Sequence, residues 1–415
     1  MKPAKILHAF TALSVLIASQ LACQALTRPA EAAPTPSPAP TEVSSTPTSA
    51  PPEVAPTPGD EEIMAGIQQA LDLYAQAYNE NNPELLGLTL DQENKPFRRI
   101  VRSRFDEAQI SSFAGGFDYE FTLLDIKRRE FGYVIAHFQL WNDYNADWPF
   151  RLLDGRWVIT EPTVEQVGEP VIMETEHFTF TAYPWANDVN QQIMDLMETA
   201  RANVEKVLGK APDEKAIVNI MPIYGLHPYN PMGAIALYNK EQGATKNIID
   251  IYTPESFAYS FYDASMGWDG ELLATLTHEY THMTHARSFN HAGRLSDWMS
   301  EGLAEYVSGA GGRVHQACDA FRSGTLIPIL DESGNVYKQD LMHMYTLEKD
   351  FGLSYGFATS LAYFTVENYG GLDGFWKLAN ALDETSEFKE AVQQAYGISY
   401  EQYNDEWQAW LKEQC

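Results

Sequence analysis

The sequence predicts an α+β protein: helices and a curled antiparallel sheet come first, followed by a small mixed sheet and a mostly helical half. Three observations support this fold class. Apolar residues recur with helical spacing over 61–82, strand-like apolar runs fill 117–162, and helix-forming sequence dominates after residue 254. With 45% apolar residues among 415, the chain can build at least one sizeable core.

Residues 1–32 have the features of an export signal. Two lysines precede a short apolar core at 9–18, which is too short to span a bilayer comfortably. The stretch ending at Cys23 resembles a bacterial lipobox, which implies that Cys23 is lipidated. Cleavage at Ala30-Glu31-Ala32 is the alternative and removes Cys23. We expect an exported protein of the cell envelope or the extracellular space, with membrane contact only through such an anchor.

Composition limits what the rest of the chain can bind. The formal net charge is −29 and no basic run occurs, which argues against nucleic acid as a partner. The three cysteines form no CxxC pair, so a thiolate zinc site is not expected. Disulfides persist outside the cytoplasm, so Cys318 and Cys415 can pair, although two separate thiols are the alternative.

Residues 33–60 separate the signal from the folded part. Nine of these 28 residues are proline, and most others are threonine, serine or alanine. Such a composition cannot build a core, so we predict a disordered, extended linker.

Residues 61–167 are predicted to form the first domain. An amphipathic helix at 61–82 and a second helical piece at 97–110 precede three strand-like runs. The last run contains Asp154-Gly155, a hairpin turn signal. Over 61–167 this order resembles the cystatin-like cone of the SnoaL-like superfamily. No convergent polar set stands out, so we favour a scaffold over a ligand-binding cone.

Residues 168–415 are predicted to form the second domain. A helix at 188–209 with apolar residues on one side, stopped by Gly209, lies among the predicted strands. Those strands are, in chain order, 177–185, 215–223, 232–239 and 246–254. The two domains would together give the α+β class.

The stretch "HEYTH" contains the first candidate metal ligands. A helix places residues four apart on one face, so His278 and His282 can share one ion. Glu279 lies beside them, within reach of a water on that ion. This HExxH spacing also occurs by chance on exposed helix faces, so a second motif is needed.

A second helix, "SDWMSEGLAEYVSGA", supplies that motif, because 18 residues separate His282 from Glu301. This combination resembles the gluzincin zinc metallopeptidases, in the peptidase-MA-like group, over about 169–415. The resemblance implies one zinc ion bound by His278, His282 and Glu301. It also implies that Glu305, one turn later, hydrogen-bonds a ligand histidine and fixes its orientation.

Nearby histidines offer alternative ligands. The metzincin pattern needs glycine and histidine where this chain has His285 and Ser288, so that pattern does not fit. We expect His285 to be a polar neighbour of the site, with a supporting role as the alternative. His291 lies in a predicted loop and is expected to be exposed.

Two histidines and one carboxylate leave zinc a free coordination position, as catalytic sites require. Zinc then activates water, and Glu279 acts as its general base. By resemblance to the gluzincins, a tyrosine or histidine from the helical half stabilises the oxyanion. We choose Tyr355, with His343 and Tyr345 as alternatives.

By the same resemblance, a strand before the metal helix is expected to bind extended peptide, as the edge strand of gluzincins does. This strand includes Gly233, Ala234, Ile235 and Ala236. Aminopeptidases of the clan have a Gly-x-Met-Glu-Asn motif there, whose glutamate binds the substrate amine. This chain has no such glutamate in that strand, which favours an endopeptidase.

The leading hypothesis is therefore a zinc metallopeptidase that hydrolyses peptide or protein substrates. A second hypothesis is a non-catalytic envelope protein that binds or senses a ligand and keeps the zinc fold as a scaffold. A third is a zinc hydrolase of non-peptide amides. The presence of Glu279 favours an enzyme, because a purely structural site does not need that carboxylate.

Overall fold

The computed structural model describes residues 59–110, 118–141, 143–226, 236–238, 248–259, 261–288, 295–309, 314–324 and 351–415. The predicted export signal, Cys23 and nearly all of the predicted linker lie outside these residues. The α+β class predicted from the sequence is confirmed, with two sheets and a helical C-terminal half. Within the described part of the chain, no helix combines the length and apolar character needed to cross a membrane.

Three helices open the described chain. Helix α1 is Asp60–Asn79, α2 is Pro83–Thr89 and α3 is Lys95–Ile110. Of the apolar stripe predicted for α1, Ile63, Ile67, Leu71 and Tyr74 are buried and Tyr78 is partly buried. Helix α2 is capped by Asn82, whose side chain accepts hydrogen bonds from two backbone N–H groups. Such a cap satisfies donors that the first turn of a helix leaves unpaired.

The first sheet is antiparallel and packs against α1. Its strands are β1 (Phe121–Arg128), β2 (Tyr133–Leu140), β3 (Tyr144–Leu153) and β4 (Arg156–Ile159). Asp154 and Gly155 have φ angles of 49° and 75°, so both central residues of the β3–β4 hairpin are left-handed, as the sequence signal requires. The helices and antiparallel sheet predicted here are present, while the likeness to a SnoaL-like cone stays a prediction.

The second sheet is mixed and belongs to the second half of the chain. A short helix α4 (Val164–Val167) leads into strands β5 (Val171–Glu174) and β6 (Phe178–Ala182), helix α5 (Asn187–Leu208), and strands β7 (Ala216–Met221), β8 (Ala236–Tyr238) and β9 (Ile248–Tyr252). The strand order is β5-β6-β7-β9-β8. Strands β6, β7 and β9 are parallel, and the outer strands β5 and β8 are antiparallel to their neighbours.

The helical half follows. Its helices are α6 (Gly267–Ser288), α7 (Asp297–Ser308), α8 (Val314–Ser323), α9 (Phe351–Asn368), α10 (Gly371–Thr385), α11 (Phe388–Tyr396) and α12 (Tyr400–Gln414). A disulfide joins Cys318 of α8 to the terminal Cys415, with the two Cα atoms 5.3 Å apart. Of the two alternatives left open by the sequence, the structure therefore has the paired one, and the C-terminus is fixed to α8.

The seam between the two halves surrounds the segment that precedes α6. A short strand β10 (Tyr262–Asp263) joins the first sheet by pairing with β3, and Phe257 lies in the N-terminal core. The buried carboxylate of Glu161 accepts hydrogen bonds from the backbone N–H of Tyr224 and of Phe257. The N-terminal half therefore holds the connection that leads directly into α6.

Charged side chains extend this seam. Arg129, on the N-terminal side, forms ion pairs with Asp188 at the start of α5 and with Glu255, at 2.8 and 2.5 Å. Lys127 contacts the same two carboxylates. Arg129 and Glu255 are largely buried, so the packed seam limits solvent access to this pair.

Candidate metal centre

Helix α6 carries the HExxH residues and is held by apolar side chains that pack in the core. Leu272, Leu276 and Met283 recur at spacings of four and seven and are fully buried in the core. This packing fixes the helix rotation and turns His278 and His282 to a different face. Each of the two histidines is only 8% exposed.

Helix α7 packs beside α6 and supplies the third side chain. Trp298 and Leu303 are fully buried and fix the rotation of α7, and Gly309 ends the helix in a left-handed conformation with φ of 77°. Glu301 is 8% exposed and faces the two histidines.

Three donor atoms converge between the helices. Nε2 of His278 is 3.0 Å from Nε2 of His282 and 3.2 Å from Oε2 of Glu301. The third side of this triangle, from His282 Nε2 to Glu301 Oε2, is 3.5 Å. The structure thus brings together the three residues predicted as ligands.

The size of the triangle fits zinc. Donors held at about 2.0–2.1 Å in tetrahedral geometry lie about 3.3 Å from one another, which the three observed separations bracket. Two imidazole nitrogens and one carboxylate oxygen are also a donor set typical of catalytic zinc, with a coordination position left for water or substrate. The residues present therefore fit the ion that the gluzincin resemblance implies.

Electrostatics favour a cation at this point. Burial acts against ionisation of Glu301, but the positive potential of His282 and the hydrogen bonds from both histidines outweigh it and hold the pKa of Glu301 well below its usual range. For His278, burial lowers the pKa, but hydrogen bonds with Glu301 and Glu305 raise it to about 10. The raised pKa of His278 reflects the negative potential of the two glutamates beside it, which also favours a bound cation, whereas the lowered pKa of Glu301 reflects the neighbouring histidines.

Each ligand histidine is oriented through its second ring nitrogen. Nδ1 of His278 is 3.1 Å from Oε1 of Glu305, which is 1% exposed. Nδ1 of His282 is 3.1 Å from Oγ of Ser300. A hydrogen bond at Nδ1 fixes the tautomer and leaves Nε2 for the metal. The contact made by Glu305 is the one that the resemblance implies.

Gly302 allows α7 to approach α9 closely. A Cβ atom at this position would lie 2.5 Å from the backbone oxygen of Ala358 and 2.9 Å from Cβ of Ala362. Real Cβ atoms are essentially never found under 3.0 Å from another atom, so the observed packing requires glycine. Because Gly302 follows Glu301 directly, this contact also fixes the position of the carboxylate.

For the remaining predicted residues that the structure describes, it gives the secondary-structure element and, for Glu279 and Tyr355, the burial. Glu279 is half-buried on α6, and Tyr355 is buried in α9 with 2% exposure, on the helix that packs against α7. Ala236 begins β8, the outer strand of the mixed sheet. The other three predicted edge-strand residues, Gly233, Ala234 and Ile235, lie outside the described residues, as do His291, His343 and Tyr345.

Sequence reasoning did not single out Ser300, because no spacing rule for zinc ligands includes the residue before the third ligand. It also assigned His285 mainly as a polar neighbour. The structure shows His285 buried, with 2% exposure, and its Nε2 3.1 Å from Oγ of Ser300. The spacing of His285, one turn after His282, is the signal that could have predicted a role for His285 beside the ligand histidines.

Comparison with known proteins gives a family match for the segment that contains this site. No curated protein matches the chain by sequence. Among solved structures, the chain is similar to a mutant M1 zinc metallopeptidase from Deinococcus radiodurans, with 13% identity and a TM-score of 0.30. That similarity covers 71% of this chain and 61% of the other, so the chain spans less than two thirds of that protein. Residues 216–413 match the model of the Peptidase MA superfamily, and this segment contains all three donors, which supports a gluzincin-type peptidase.

Proposed function

We propose that this protein is a zinc-dependent endopeptidase. The observation that carries the proposal is the triangle of His278, His282 and Glu301, whose donor atoms lie 3.0–3.5 Å apart. Glu279 follows His278 directly in the sequence. The superfamily match over 216–413 supports peptide bonds as the target.

Each residue of the site would have a defined role. Bound zinc supplies a Lewis acid that polarises the substrate carbonyl and lowers the pKa of water. His278, His282 and Glu301 would hold the ion, and Glu305 would keep His278 in the tautomer that ligates. Glu279 accepts the proton from the attacking water as the new C–O bond forms. It then delivers that proton to the amide nitrogen as the C–N bond breaks, so one water is consumed per bond.

Tyr355 is the proposed donor to the oxyanion. It lies near the start of α9, whose close contact with α7 at Gly302 places this helix beside the ligand helix. A phenol O–H directed at developing negative charge typically contributes about 100- to 1000-fold to turnover. A Tyr355→Phe variant should therefore lose turnover while keeping zinc affinity.

The outer strand β8 is the proposed site for the substrate backbone. It pairs with β9 on one side and ends the strand order of the mixed sheet. An edge strand can add an extended peptide through main-chain hydrogen bonds. In this strand the chain has no glutamate matching the aminopeptidase motif, which favours binding across the middle of a polypeptide.

We further propose that the protein is exported and acts in the cell envelope or outside the cell, through a lipid anchor at Cys23 or after cleavage of its signal. The Cys318–Cys415 disulfide supports this location, because such bonds persist in oxidising compartments. Mass spectrometry of the mature N-terminus would distinguish an acylated Cys23 from cleavage near residue 32.

A cleavage assay on a peptide library tests the proposed function. Wild-type protein with zinc should cut internal bonds, and a chelator should stop the reaction. Glu279→Gln should bind zinc like wild type but lose turnover by at least about 100-fold, because the general base is gone. Glu205→Gln, at a surface-exposed glutamate of α5, is the matched control and should cleave normally.

The products separate the alternatives. Internal fragments indicate an endopeptidase, whereas single N-terminal residues indicate an aminopeptidase. Stoichiometric zinc with no cleavage of any peptide would refute the peptidase and favour the binding or sensing protein. Wild-type rates in Glu279→Gln would refute the assigned general base.

A further inference from the structure

One buried hydroxyl lies between two histidine rings of α6. Oγ of Ser300 is 3.1 Å from Nδ1 of His282 and 3.1 Å from Nε2 of His285. Ser300 and His285 are 7% and 2% exposed, and the rings of His282 and His285 meet edge to face at 5.8 Å. The hydroxyl therefore connects a ligand histidine to a histidine that is not part of the donor triangle.

Ligation by His282 through Nε2 fixes the direction of proton donation. A neutral imidazole carries one N–H, so a metal on Nε2 leaves the hydrogen on Nδ1, which donates to Oγ of Ser300. The serine hydroxyl has one hydrogen of its own, which it then donates to Nε2 of His285. With a metal on Nε2 of His282, the hydrogen bonds would thus run outward from the ligand, through Ser300, to His285.

The two ligand histidines have unlike partners. His278 is oriented by the carboxylate of Glu305, whereas His282 contacts the neutral Ser300. Outer partners of this kind set the tautomer, orientation and basicity of a ligand ring. Because Ser300 directly precedes Glu301, the same turn of α7 supplies one ligand and the support of another.

We propose that Ser300 and His285 act as a pair of positioning residues, a hydrogen-bond relay that holds His282 in its metal-binding tautomer. This inference rests on zinc binding in the proposed function but not on peptide cleavage. Burial strengthens the relay, because hydrogen bonds in a low-dielectric interior are stronger than those exposed to water.

Zinc affinity of the full-length chain, measured by competition with a chelator, tests the relay. Ser300→Ala and His285→Leu should each weaken affinity by about 10- to 100-fold, as expected for loss of an outer partner. The double variant should lose no more than the weaker-binding single variant, because both changes break one unit. His285→Gln keeps an acceptor for the hydroxyl and should stay within about threefold of wild type.

A matched control separates the relay from general damage to α7. Ser308 is on the same helix, and its hydroxyl donates a hydrogen bond to the backbone oxygen of Glu305. The Ser308→Ala variant removes this hydroxyl and should leave zinc affinity unchanged. Thermal unfolding of the metal-free proteins reports folding. If Ser300→Ala does not fold, the pair His285→Leu and His285→Gln still decides the question.

Cobalt-substituted protein gives a direct readout. Proton NMR should show a shifted ring N–H from His282 that exchanges slowly with solvent in wild type and faster in Ser300→Ala. The relay is refuted if Ser300→Ala and His285→Leu bind zinc like the Ser308→Ala control, or if their losses add fully in the double variant. Zinc binding without any peptide cleavage would refute the proposed function and leave the relay intact.

Discussion

Replacing Gly302 with alanine tests the helix contact that places Glu301. The added Cβ would lie 2.5 Å from the backbone oxygen of Ala358, whereas an ordinary contact begins at 3.4 Å, so α7 and α9 must separate by about 0.9 Å. A backbone oxygen in a packed helix cannot rotate away as a flexible side chain could. The displacement is therefore transmitted to Glu301, the preceding residue.

The expected cost follows from this displacement. Overpacking of a close-packed core costs about 1–3 kcal/mol, and a shift of about 1 Å in a catalytic group can reduce turnover about 100-fold. Alanine otherwise favours a helix over glycine by about 1 kcal/mol, so a net loss at this position reports the clash itself.

Urea unfolding and peptide turnover measure the two consequences of Gly302→Ala separately. The matched control is Gly87→Ala in α2, where a Cβ would meet nothing within 4 Å. That control should gain about 0.5–1 kcal/mol from helix propensity. If Gly302→Ala gained stability as Gly87→Ala does and kept its peptide turnover, the close packing of α7 on α9 would be wrong as described.

Three further predictions concern stability. Replacing Cys318 and Cys415 together with serine should lower the free energy of unfolding by about 4–5 kcal/mol, because the bond closes a sequence separation of 97 residues; equal urea midpoints would contradict this. Burial raises the pKa of Glu161 from 4.5 to about 7, so its contribution to stability is fully present below pH 4.5 and is lost as the pH rises through 7. Relative to Glu161→Gln, wild type should therefore lose up to about 3 kcal/mol across that range, and a pH-independent difference in urea unfolding would exclude the assignment. Asn82→Ala removes the side-chain acceptor at the start of α2 and should cost about 1 kcal/mol, which thermal unfolding at pH 7 can measure; an unchanged melting temperature would show that the cap is not needed.

The sequence by itself determined the features that depend on local spacing. Helical geometry places His278 and His282 on one face, and the Asp154-Gly155 pair favours a left-handed hairpin turn wherever two strands flank it. The α+β class also followed from periodicity, because buried faces of helices and strands repeat at different intervals. Glu301 was assigned by resemblance, from its motif and its distance along the chain.

Tertiary structure decided what depends on distances between segments far apart in sequence. A disulfide forms only between cysteines whose Cα atoms lie within about 7 Å of each other. The 5.3 Å separation of Cys318 and Cys415 exists only in the folded chain. The addition of β10 to the N-terminal sheet likewise brings together residues more than 100 positions apart. The relay through Ser300 belongs to the same class, because a serine hydroxyl acquires partners only after α6 and α7 pack together. Spacing along the chain fixes which side chains share a face, whereas packing alone fixes what that face meets.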